Sequence, residues 1–215
     1  MARLLTGLHG PFTGKLGSVI GTSWKGLHIM RVIPANHNDA NTTLQQAQRA
    51  KIKLLSSFLS KCNSLIRIGF AAIDPKNTAF NNAIKHNLAE VVEGTFPNFT
   101  INIAKLKLST GKLRNVWDPT IMSVDANTIS ISWTDNTNNE NAFATDRLHL
   151  CVIDKETHDV HIHPTPPSRN ATTCHLTLPT DWSTHDVFVI GFMAKEGVKN
   201  PKSMKDVSNS LVWEM

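Results

Sequence analysis

A chain of 215 residues has room for one large domain or two small ones, and with 40% apolar against 18% charged residues it can bury a core, which excludes the disordered class. The net charge of +5 is uneven: residues 1–67 hold nine Lys/Arg and a single acid, Asp39, whereas residues 68–215 hold thirteen Lys/Arg and sixteen Asp/Glu. That split points to an anionic partner for the N-terminal part, or to a subunit whose basic end meets a neighbour's acidic surface.

Residues 1–13 step through short apolar pieces broken by Gly7, Gly10 and Pro11, and read as an arm. From Lys15 to Ile33 the pattern suits two β-strands, with Trp24-Lys25-Gly26 as the turn between them. Glycines at 14, 17 and 21 thin this ribbon, which suits a place where another backbone or chain approaches closely. A two-stranded ribbon is marginal alone, so it is expected to lie on something else.

After a polar linker at 34–40, Thr43 and Gln46 form a capping-box pattern. Leu44, Ala47, Leu55, Phe58, Leu59, Cys62 and Ile66 fall on one helical face, with a break expected near Ser60–Asn63. A second helix is expected from Asn77 or Thr78, using Phe80, Ala83, Ile84, Leu88, Val91 and Val92, and stopping at Gly94. A strand is then expected over Thr100–Leu108.

From Leu113 the character changes to short strands at even spacing, expected near 116–123, 128–134, 147–153, 158–163, 172–178, 186–194 and 207–213. Trp133 would be the buried core tryptophan, and the polar stretch 135–146 a solvated loop. The fold class is therefore α+β, mostly β: an N-terminal β-ribbon and short helical segment followed by an immunoglobulin- or fibronectin-III-like β-sandwich. The domain reading is a Gly-rich basic arm and hairpin over 1–40, two helices plus a strand over 41–112, and the sandwich over 113–215.

No run of 18 apolar residues exists, so no transmembrane helix is expected. The opening MARLLTGLHGPF lacks the apolar centre of a secretory signal, and three cysteines are no disulfide framework. The expectation is synthesis in the cytoplasm without a signal peptide, with the final site open between the cytoplasm and a virion or extracellular assembly.

Gly10-Pro-Phe-Thr-Gly14-Lys15 invites a phosphate-loop reading but has three residues between its glycines, Leu16 after its lysine and no strand before it. His149, Cys151, His161, His163, Cys174 and His175 could gather round zinc, yet neither CxxC nor HxxxH spacing occurs, and half-buried sandwich positions are the plainer expectation. No nucleophile elbow or cysteine-centred signature is present, so no catalytic residue, cofactor or small-molecule substrate is expected. The strongest chemical signal is the basic third. Lys15, Lys25, Arg31, Arg49, Lys51, Lys53, Lys61 and Arg67 form a candidate phosphate-contact set, with Trp24 as a stacking surface.

The run GPFTGKLGSVIGTSWKG, then Arg31 and Pro34, LQQAQRAKIKLLSSFL, IRIGF, FNNAIKHNL and a closing VSNS resemble a bacterial domain-of-unknown-function family of about this length. More weakly, the Gly-rich opening, Trp-x-Gly and the Gln-Ala-x-Arg helix are similar to small phage-encoded structural proteins. The resemblance implies no catalytic residue.

The expected function is that of a non-enzymatic assembly protein, of virion or filament type, that self-associates or docks on a partner. Its contact set is Gly14, Lys15, Gly17, Gly21, Trp24, Lys25, Gly26 and Arg31, because a thin ribbon with unpaired edges suits strand addition. The alternative is a cytoplasmic nucleic-acid-binding module using the basic third.

Overall fold

The computed structural model describes residues 10–35, 39–74, 76–125, 127–137, 139–182, 186–197 and 201–215, and the backbone of 2–3. It is mostly β and divides into two units, residues 1–42 and 43–215.

The first unit is a four-stranded antiparallel sheet rather than a two-stranded ribbon. Its strands are β1 (Ala2–Arg3), β2 (Gly14–Leu16), β3 (Val19–Trp24) and β4 (Leu27–Val32), in the order β1-β4-β3-β2. Part of the expected arm is thus strand β1, and its residues 4–9 lie outside the described residues. The expected turn is in place: Lys25 and Gly26 both have positive φ, as a two-residue type I′ hairpin demands.

The second unit opens with helices α1 (Thr43–Lys61) and α2 (Asn63–Gly69), broken at Cys62. Helix α3 (Ala79–Asn87) starts behind Thr78, whose side chain accepts a hydrogen bond from the Asn81 N–H. Leu55, Phe58, Leu59, Cys62 and Ile66 are buried, but Leu44 is exposed because the first turns of α1 carry no buried residue. The helical expectation for Val91 and Val92 is corrected. Val92 begins a hairpin, β5 (Val92–Thr95) with β6 (Asn98–Ile101), and the glycine expected to stop a helix sits inside a strand. The expected strand over 100–108 likewise shortens to the end of β6. A 3-10 turn at Ile103–Lys105 interrupts it, and Asn87 then grips Lys107 through both its backbone N–H and its carbonyl.

Seven strands follow: β7 (Trp117–Asp125), β8 (Thr128–Thr134), β9 (Arg147–Asp154), β10 (Val160–Ile162), β11 (Thr173–Thr177), β12 (Val187–Ala194) and β13 (Leu211–Glu214). They form two antiparallel sheets, β11-β8-β7 and β10-β9-β12-β13. Ile129, Ile131, Trp133 and Leu176 of the smaller sheet share a buried cluster with Leu148, Leu150, Val152, Val187, Val189 and Met193 of the larger.

The opposite face of the larger sheet is buried as well. Cys151, Ile153, Ile190, Phe192 and Ala194 belong to one cluster with Leu55, Leu59, Ile66, Leu106 and Leu108. Residues of the expected helical segment and of the expected sandwich therefore share a core. Phe188, Ile190 and Phe192 do alternate on one face, as expected, and that face meets the helices rather than the smaller sheet. This is why β12 reads VFVIGFMA, with no polar alternation: both faces of the strand are covered.

Candidate assembly and nucleic-acid surfaces

Register decides what the N-terminal sheet presents. Ile20 stands opposite both Lys15 and Arg31, Thr22 opposite Ile29, and Trp24 opposite Leu27. Paired residues and their i±2 neighbours share a face, so Lys15, Arg31 and Trp24 lie on the same side. Gly14, Leu16, Val19, Gly21, Met30 and Val32 occupy the other. Lys25 sits in the hairpin turn with its ammonium 6.0 Å from the centre of the Trp24 ring. Gly17 lies in the β2–β3 turn. Gly21 is buried because Phe12 crosses over it: a Cβ there would meet the Phe12 carbonyl oxygen and come within 2.7 Å of its ring.

Among its described residues this sheet has almost no interior. Among the described residues of 1–42 no apolar side chain is buried, while Leu16, Val32 and Trp24 are 69%, 68% and 49% exposed. The edge strand β2 is exposed along its whole length.

The helical bases do not form one stripe. Lys61 donates to Asp159 at 2.7 Å and to the His158 carbonyl at 3.1 Å, tying α1 to the β9–β10 turn. Lys51 lies 5.0 Å from the centre of the Phe99 ring, on the β6 hairpin. Arg49 and Lys53, one turn apart on α1, share a face, and Arg67 lies on α2. The eight expected phosphate contacts are thus split between the two units, and Lys25, Lys51 and Lys61 are among those engaged by the protein itself.

The histidines and cysteines are divided by the larger sheet. His149 stacks on Phe192 at 5.3 Å, and Cys151 lies among the helices. His161 meets Trp182 edge-on, and His163 Nε2 lies 3.5 Å from Cys174 Sγ, whose thiol belongs to the cluster on the opposite face. Among the described residues no three of His, Cys, Asp and Glu converge on a point that could hold a metal. Burial pushes the His149 imidazole down to about 4. Cys151 is hydrogen-bonded to Cys62, and that bond, then burial, raises its thiol well above the ordinary range. Burial also raises the Cys174 thiol. None of the three cysteines forms a disulfide. Buried thiols with raised pKa values hold little thiolate, the reactive form, so Cys151 and Cys174 suit packing better than nucleophilic chemistry.

Arg169 carries no signal in the sequence, where it reads as a loop residue, yet it is fully buried. Its guanidinium binds Asp146 at 3.0 Å, Asn136 Oδ1 at 2.6 Å and the carbonyls of Arg114 and Asn115 at 2.6 and 3.2 Å. Its own carbonyl accepts from the Trp133 indole at 2.7 Å. The 135–146 stretch, expected as a solvated loop, is anchored at both ends by this group.

Among the described residues no helix is long and apolar enough to cross a membrane. No curated protein matches the chain. A family model does: it spans residues 11–205, from Pro11 to Lys205 in the 3-10 turn ahead of the closing strand. That span takes in strands β2–β4 of the glycine-rich sheet and the larger unit up to its closing strand, and the chain belongs to this family of unknown function, DUF6266.

Proposed function

We propose that this is a non-enzymatic assembly protein whose N-terminal sheet docks on another copy or on a partner, and whose larger unit is the body so displayed. The observation that carries the reading is the sheet with no buried apolar side chain among its described residues, exposing Leu16 and Val32 on one face. A small sheet gains independent stability only by covering an apolar face, and a free edge such as β2 offers unpaired backbone groups to a further strand.

The body supports a finer reading, a fibronectin-III-type sandwich. Its first, second and fifth strands (β7, β8, β11) share one sheet, and its third, fourth, sixth and seventh share the other. The fourth strand, β10, stays beside the third instead of crossing to the other sheet, as it does in immunoglobulin constant domains.

The test is size-exclusion chromatography with light scattering on the full chain and on a chain lacking residues 1–33. An oligomer that becomes a folded monomer on truncation is the expected result, and a full-length monomer at high concentration refutes the reading. A second reading, nucleic-acid binding, is favoured by Lys15, Arg31 and Trp24 sharing one face. It requires affinity for DNA or RNA that falls steeply with salt as counterions are released. Absence of binding at low salt removes it.

A further inference from the structure

Outside the surfaces already described, a concavity among the described residues has the features of a built site. Arg114, Asn115, Val116, Trp117 and Asn136 line a hollow of about 280 Å³ on the larger unit. From these residues we infer a saccharide-binding site, with Trp117 as the stacking platform.

Trp117 opens β7 yet is 60% exposed. The strand is irregular there. Pairing with β8 shifts register between Trp117 and Thr120, and Asp118 takes a φ of 50°. Positive φ is unfavourable for a residue other than glycine, and a bulge of this kind re-aims the neighbouring side chain. Pro119 and the bulge also blunt β7 as an edge for strand pairing, so an incoming strand does not account for the exposed indole.

The walls beside the platform are fixed from behind. The buried Arg169 holds the Arg114 and Asn115 carbonyls and the Asn136 side chain, and Asn136 Nδ2 donates to the Asn115 carbonyl at 2.9 Å. Asn115 Nδ2 binds the Asn209 carbonyl at 2.7 Å, which fixes its amide. The half-buried Asn115 amide nitrogen keeps a second hydrogen for a ligand, and the buried Asn136 braces the wall behind it. The Arg114 guanidinium and the Trp117 indole N–H have no hydrogen-bond partner among the described residues and are exposed to one.

A pyranose ring has one flat face of C–H groups and a rim of hydroxyls. It fits a single aromatic face flanked by amides and a guanidinium. A nucleotide fits less well: one cation lines the hollow, and phosphate recognition draws on several donors or a helix N-terminus. The volume lies just below the roughly 300–1,000 Å³ of drug-sized pockets, which matches one or two rings of a longer glycan. The sequence gives no expectation of a small-molecule substrate, and the inference concerns binding without turnover.

The test is calorimetric titration of the full chain with cellobiose, chitobiose, lactose and maltose, and with AMP and inorganic phosphate as contrasts. At least one disaccharide is expected to bind saturably in the millimolar range. Trp117→Ala is expected to weaken it about tenfold or more and Arg114→Ala several-fold, with unchanged melting temperatures because both side chains are exposed. Trp117→Phe should retain part of the affinity. Three outcomes overturn the inference: no disaccharide binds, AMP or phosphate binds as tightly with the same dependence on Trp117, or Trp117→Ala leaves the affinity unchanged.

Discussion

Arg169 and Asp146 are both fully buried, and their pairing is completed by Asn136, the carbonyls of Arg114 and Asn115 and the Phe143 N–H. Asp146 Oδ1 is buried without a hydrogen bond among the described residues. Removing one partner of a buried pair strands the other charge, so Arg169→Met is expected to cost about 3–5 kcal/mol, and adding Asp146→Leu to recover part of it. Urea unfolding of the two variants measures both quantities. His149 supplies a second test. It is neutral in the fold because burial holds its pKa near 4, whereas the unfolded imidazole titrates near its ordinary 6.5. The unfolded chain therefore binds more protons between these values, so the contribution is full above about pH 6.5 and lost as pH falls towards 4. The loss is up to about 3 kcal/mol. His149→Phe should flatten the acid limb of the stability profile. These two residues also differ in legibility. The Pro/Thr-rich surroundings of Arg169 hide its burial, because the network that neutralises it converges from segments 23 to 55 positions away. His149 sits in a strand that alternation does reveal, but the ring that desolvates it, Phe192, comes from β12.

At the scale of elements, strands were readable where apolar and polar residues alternate along a whole strand. Ile129, Ile131 and Trp133 alternate with Thr128, Ser130, Ser132 and Thr134, and β8 falls where that pattern places it. The pattern fails to assign partners where both faces are dry. In β12 it gives the strand and one correct face but not the identity of what covers it. Val91 and Val92 continue a helical spacing, and only the pairing of Val92 with Ile101 turns the second of them into a strand residue. In the N-terminal sheet the register rests on Gly21, where Phe12 leaves no room for a side chain. Gly21→Val is expected to cost that sheet about 1–3 kcal/mol through overpacking. Faster tryptic cleavage at Lys15, Lys25 and Arg31, with no change in the main melting transition, would mark the damage as local. A shared loss of both would contradict the division into two units.

The whole molecule is two units of unequal self-sufficiency. Both buried clusters lie within residues 43–215. A fragment starting at residue 34 is therefore expected to unfold cooperatively with a melting temperature within a few degrees of the full chain, as followed by calorimetry. A broad or early transition would mean that the N-terminal sheet is part of the body's core. The uneven charge was legible from the sequence, but its use was not. The folded chain spends Lys51 and Lys61 on its own packing, which no spacing rule reveals.

The double covering of β12 has a temporal side. The helices that pack on it end at Gly69, and the strand itself ends at Ala194. At translation rates of about 5–20 residues per second, the helical layer leaves the ribosome roughly 6–25 s before its sheet is complete. During that interval Leu55, Phe58, Leu59 and Ile66 have no native cover from β12, and β12 itself emerges as eight uncharged residues of high strand propensity. The nascent chain thus carries its greatest risk of aggregation late in synthesis, and holding the helical layer soluble until then is a natural task for a ribosome-associated chaperone.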